Sequence, residues 1–173
     1  MIAKYLGVVF VLVVLTVAVS GQKKSPKKPA PAKKPPVTIV PPLDVRAGRE
    51  KVSNQQSNVT DYLNKLGPLA PNLEKAIADK DAGKLRPETA KKVEQAQQQL
   101  IKSLQDLKAG LAALESEFRT KPALQKYLPT IEGITDLTAQ AEDAASAGKF
   151  VSAMDPLRDV SKKLTDTLAA MPL

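Results

Sequence analysis

The chain has 173 residues, with 26 basic and 18 acidic side chains, a net charge of +8, and neither cysteine nor histidine. That composition excludes thiolate nucleophiles, imidazole bases, the common zinc ligand sets and haem ligation by either side chain. The length suffices to bury a core without disulfides, so the missing cysteine says little about compartment.

The first element is a targeting segment. Met1 to Lys4 forms a short positive region, a 14-residue apolar run follows from Leu6 to Val19, and small residues stand at Ala18, Ser20 and Gly21. This reads as a signal peptide over residues 1–21, with a mature chain beginning at Gly21 or Gln22 and a secreted or extracytoplasmic destination. Fourteen apolar residues are few for a membrane span. The alternative is an uncleaved membrane anchor across residues 5–21: six lysines follow the run, whereas only Lys4 and the amino terminus precede it, an order the positive-inside rule disfavours for export.

Residues 22–42 form the second element, a disordered Lys/Pro-rich spacer containing seven of the fourteen prolines. Without acids to pair its lysines it is expected to stay extended, reaching about 65 Å at roughly 3.1 Å per residue. Its cations, Lys23, Lys24, Lys27, Lys28, Lys33 and Lys34, are the candidate polyanion-binding residues. Residues 1–36 hold seven lysines and no acid, so the remaining 137 residues carry 19 basic and 18 acidic side chains. The cationic character thus belongs to the tail, and its attraction to polyanions is expected to weaken steeply with salt. Val37-Thr38-Ile39-Val40 is an apolar island suited to an edge strand or a docking segment. Ser25-Pro26-Lys27-Lys28 and the following PAPAKK resemble the Lys/Pro/Ala tails of linker histones, which implies weak nucleic-acid binding through the tail. A linker histone also has a winged-helix domain and no export signal, and this chain departs on both counts.

From Leu43 onward, residues 43–173 read as a helical bundle domain. Val45, Val52, Val59 and Leu66 recur every seven residues, with Gly48 and Gln55 on the same stripe. Gly67-Pro68 is expected to end this first helix, and a shorter one from about Leu69 to Asp81 to stop at Ala82-Gly83-Lys84. A long helix is expected from Glu88 to Phe118, near 45 Å at about 1.5 Å per residue. Its seam is Val93, Leu100, Leu104, Leu107, Leu111, Leu114 and Phe118, with Gln97 where leucine would complete it. Leu124, Tyr127, Leu128, Ile131 and Ile134 then continue an i, i+3, i+4 pattern towards Ala147-Gly148-Lys149. A last helix carries Phe150, Met154, Leu157, Val160, Leu164, Leu168 and Met171, with Pro156 marking its start or a kink.

Sliding the chain by 65 residues aligns YLNKLGPLAPNLEKAIADKDAGK, from Tyr62, with YLPTIEGITDLTAQAEDAASAGK, from Tyr127, with six of 23 positions identical. Two related helical units are therefore a second expectation. Short connections favour antiparallel neighbours, and the fold class is all-α, an antiparallel bundle of four to five helices.

Chemistry is sparse in the sequence. The carboxylate pairs Asp79/Asp81, Glu115/Glu117, Glu142/Asp143 and Asp155/Asp159 lie mostly among lysines and arginines on polar helix faces. They fit neither a di-metal bundle site, which needs histidine, nor a calcium loop. No Gly-rich phosphate loop is present and no serine has a histidine base, so neither an enzyme nor a cofactor is expected. Asn58-Val59-Thr60 satisfies a glycosylation sequon. The expected function is a binding or structural module: a protein partner on the bundle, an anionic surface (lipid or polysaccharide) on the tail, and self-association through helix seams. The competing expectation is reversible lipid binding. Amphipathic helices with few aromatics and no disulfides resemble exchangeable apolipoproteins, whose bundles open on lipid.

Overall fold

The computed structural model describes residues 41–173, and its first element, α1, is a single helix from Leu43 to Asp81. The signal or anchor segment, the spacer up to Val40 and the Val37–Val40 island lie outside the described residues. Pro42 precedes α1, and its carbonyl accepts hydrogen bonds from the backbone N–H groups of Val45 and Arg46. Asp44 places a negative charge in the first turn, where the helix dipole favours it.

The expected break at Gly67-Pro68 does not occur: Pro68 and Pro71 both lie inside α1. Each proline removes one i to i−4 hydrogen bond, which costs up to about 3 kcal/mol in a helix interior. Tertiary packing offsets the loss. Leu66 and Ala70, on either side of Pro68, are fully buried, and Ile77 beyond Pro71 is nearly so, whereas both prolines face solvent, where water can reach the freed carbonyls. A break would withdraw this stripe from the core.

The turn after α1 closes as the sequence indicates. Gly83 has φ +67°, its N–H reaches the carbonyl of Lys80, and Lys84 N–H reaches that of Asp79. This six-to-one and five-to-two pair is a Schellman cap. Helix α2 follows from Pro87 to Thr120 with proline in its first turn. Leu104, Leu107, Leu111, Leu114 and Phe118 are buried, while Val93, Gln97 and Leu100 are half-buried, so the seam is dry only in its second half.

The following segment is not one helix. It divides into α3 (Pro122–Gln125), α4 (Leu128–Ile131) and α5 (Ile134–Ser146), interrupted by Pro129 and by Gly133 at φ +87°. Leu124, Tyr127, Ile131 and Ile134 nevertheless all point inward, so the apolar spacing survives the breaks. Helix α6 runs from Phe150 to Ala170. Pro156 therefore does not mark its start but sits inside it, in the second turn.

Among the described residues every regular element is a helix, and none is long and apolar enough to cross a membrane. The four longer helices alternate in direction. Lys51 meets Glu117 and Tyr62 meets Leu100, so α1 and α2 are antiparallel. Glu115 meets Thr135 and Gln105 meets Glu142, so α2 and α5 are antiparallel too. Glu74 meets Val151 and Arg49 meets Met171, which sets α6 antiparallel to α1. Neighbouring contacts run α1 to α2, α2 to α5, α5 to α6 and α6 back to α1, an up-down-up-down bundle. Two glycines permit close approach. A Cβ on Gly48 would lie 2.8 Å from a Leu124 methyl, and one on Gly110 would lie 2.8 Å from the Gln55 amide. Gly48 and Gln55, the weak positions in the sequence stripe, are thus sites of close approach, Gly48 to Leu124 of α3 and Gln55 to Gly110 of α2.

Pro68→Ala restores a donor within a continuous helix and is expected to stabilise the protein by about 1–3 kcal/mol. Urea unfolding followed by circular dichroism measures it; a helix that stopped at Gly67 would show no gain. Leu66→Ala, at a fully buried site, is expected to cost about 2–5 kcal/mol in the same assay.

Candidate functional site

Polar chemistry inside the bundle centres on Glu115. The side chain lies on α2 beside Leu114 and one turn before Phe118, on the edge of the apolar seam, and is 5% exposed. One carboxylate oxygen accepts hydrogen bonds from the Gly133 backbone N–H at 3.0 Å and from Arg119 Nη2 at 2.7 Å. The other accepts from the Thr135 backbone N–H at 3.1 Å and the Thr135 hydroxyl at 2.7 Å. Glu115 thus caps the first turn of α5 from a different helix, supplying the acceptor that the left-handed Gly133 cannot. Burial by itself would raise the carboxyl pKa, but the hydrogen bonds from Arg119, Gly133 and Thr135 outweigh it and hold the group down at about 2.

Other polar contacts tie the helices together nearer the surface. Glu117 pairs with Lys51 and Lys121, each at 2.6 Å, and these two ammonium groups depress its carboxyl pKa. Glu142 is depressed by Lys108 and by the Gln105 amide, both at 2.8 Å. Arg49 donates to the carbonyls of Leu168 and Met171, closing the end of α6, while Glu74 accepts from the Val151 N–H at the other end of that helix. Of the carboxylate pairs noted in the sequence, Glu115, Glu117 and Glu142 are therefore structural acceptors. Among the described residues no group of three or more acidic side chains converges on a possible metal position.

An open groove of about 370 Å³ lies between α1 and α2. Tyr62, Leu100 and Leu107 contribute apolar surface, and Asn58, Asp61, Lys65, Ser103 and Asp106 bring polar groups. Tyr62 donates its hydroxyl proton to the Leu100 carbonyl at 3.1 Å, and burial pushes its pKa up to about 12. The groove offers hydrogen bonds to a polar ligand, but its phenol is already engaged and its carboxylates face no base or metal partner. Asn58 of the sequon is exposed on α1, with fully buried Val59 beside it. The six candidate polyanion-binding lysines, Lys23 to Lys34, lie outside the described residues.

Glu115 is the residue that sequence reasoning passed over, having grouped it with solvated carboxylates. The available signal was its place four residues after Leu111 and three before Phe118, which puts it on the seam's edge.

The low pKa of Glu115 makes stability pH-dependent. Because the folded value of about 2 lies below the ordinary 4.5, its contribution is complete above about pH 5 and is lost as pH falls towards 2. Glu115→Gln is expected to cost about 3 kcal/mol at pH 7, with the deficit against the parent shrinking as pH drops through that window. Urea unfolding at pH 7, 4 and 2.5 checks it; a constant deficit would mean that charge is not the cause.

No protein-family model, curated protein or solved structure matches this chain.

Proposed function

We propose that the protein is an exported, non-enzymatic binding or structural module, in which the Lys/Pro tract of residues 22–42 attaches a helical bundle to an anionic surface, lipid or polysaccharide. The observation that carries this reading is the partition of charge: seven lysines and no acid in residues 1–36, against 19 basic and 18 acidic side chains in the rest. A nearly neutral body gains nothing from long-range attraction, whereas a tail of unpaired lysines is suited to it. The body is suited to presenting surface: its apolar side chains are gathered in one core, and Glu117 and Glu142 tie α2 to α1 and to α5.

The direction of α1 supports the same reading. The chain enters the bundle at Leu43, and the α1–α2 turn lies at the far end of a 39-residue helix, about 58 Å away at roughly 1.5 Å per residue. We further read the bundle as two related helical units. Gly148 repeats the geometry of Gly83 at an offset of 65 residues, with φ +75°, its N–H on the Ala145 carbonyl and Lys149 N–H on that of Ala144.

Replacing Lys23, Lys24, Lys27, Lys28, Lys33 and Lys34 with glutamine in the exported chain is expected to abolish salt-sensitive binding to anionic vesicles or anionic polysaccharide, with the helical signal unchanged. Co-sedimentation across a salt series reads this out. Binding by the intact chain that ignores salt overturns the tail assignment. Amino-terminal sequencing of the protein recovered from its native compartment is expected to begin at Gly21 or Gln22; a start at Met1 favours the anchor.

A further inference from the structure

Four asparagines occur in the chain, and Asn58 alone opens a glycosylation triplet, Asn58-Val59-Thr60. The structure separates its three side chains: Val59 is fully buried in the core, while Asn58 and Thr60 are exposed on α1. The Asn58 amide makes one hydrogen bond, its Nδ2 donating to Gln55 Oε1 at 3.4 Å. A second hydrogen on the same nitrogen has no acceptor among the described residues.

Asn58 also lines the open groove between α1 and α2, whose volume of about 370 Å³ falls within the range of small-ligand sites. Half-buried Leu100 and nearly buried Leu107 supply apolar surface there. Asp61, Lys65 and Asp106 line the same groove, exposed and with no ion pair among the described residues. Ser103 donates to the Gln99 carbonyl at 2.9 Å, which leaves its oxygen able to accept. Carboxylates that accept, an ammonium that donates and apolar surface between them suit an amino sugar, with its hydroxyls, its acetamide and its methyl group. An open groove lets a free ligand bury little, whereas a sugar tethered at the rim is held there at high effective concentration.

We propose that Asn58 is an N-glycosylation site and that the first N-acetylglucosamine of its glycan lies in the α1–α2 groove, on Leu100 and Leu107. The proposal rests on the export reading above, because the transferring machinery meets exported chains. The donor is a lipid-linked oligosaccharide diphosphate. Asn58 Nδ2 bonds to the anomeric carbon of the sugar, the anomeric C–O bond breaks, the lipid diphosphate leaves with the electron pair, and the amide nitrogen gives up one proton. The product keeps one amide hydrogen, so the contact with Gln55 survives the reaction. Transfer to the unfolded chain precedes α1, and the folded helix has only to leave the sugar room, as exposed Asn58 does.

The test uses the full chain recovered from its native compartment, sequenced from its amino terminus and weighed by mass spectrometry before and after peptide N-glycosidase treatment. Expected are a start at Gly21 or Gln22, a glycan mass lost on treatment and aspartate left at position 58. The same start with Asn58 unmodified overturns glycosylation and leaves export standing. A glycan on a chain that starts at Met1 supports glycosylation and overturns cleavage, and a chain that starts at Met1 without one overturns both. In the same host, Thr60→Ala is expected to lose the glycan completely and Thr60→Ser to keep it, with the helical circular dichroism of both unchanged. A glycan retained by Thr60→Ala overturns the site. Nuclear Overhauser contacts are expected from the acetamide methyl of the first sugar to the methyls of Leu100 and Leu107. A glycan on Asn58 that makes no such contact overturns its seat in the groove.

Discussion

The packing of α6 along the length of α1 is the contact on which the rest of the bundle depends. Residues far apart in sequence, Gly48 with Met171 and Ile77 with Gly148, come together along it, and Arg49 and Glu74 close the two ends of α6 from α1. Because this contact brings the last helix back to the first, it completes the ring of neighbours that encloses the core. It also explains why α1 tolerates two internal prolines. Their lost hydrogen bonds are local and partly repaid by water, whereas a kink at Gly67 would pull Ala70 and Ile77 off the core together.

Polar groups act where helices have to stop or turn. Glu115 is the clearest example: a buried charge would be destabilising alone, yet four donors converge on it and convert it into a cap for α5. The weakly helical stretch from Pro122 to Gly133 is thus held at one end by Leu124 packed against Gly48 and at the other by the Glu115 carboxylate. The exposed pairs, such as Arg158 with Asp155, contribute little by comparison because solvent screens them.

The proposed function rests on how charge is divided along the chain. The proposed attachment through the tail uses one physical idea: a stretch of lysines with no acid among them attracts external anions. Glu115, Glu117 and Glu142 hold helices together, and among the described residues no group of three or more acidic side chains converges on a possible metal position. The groove beside Tyr62 is open and mixed in polarity, and its phenol is already bound to the Leu100 carbonyl.

Much of the fold was legible from residue spacing. The seven-residue stripe of α1, the seam of α2, the inward set from Leu124 to Ile134 and the two glycine caps all emerge from periodicities of side chains along a helix, which depend only on neighbours three or four residues away. The division between a lysine-rich amino terminus and a nearly neutral remainder was equally plain, being a matter of counting. Tertiary structure alone decided that α1 runs through Pro68 and Pro71, that Gly48 and Gln55 mark close approaches and that Glu115 caps a distant helix. These outcomes depend on residues separated by tens of positions: local propensity sets a cost of about 3 kcal/mol for a helical proline, and only burial against another helix can exceed it.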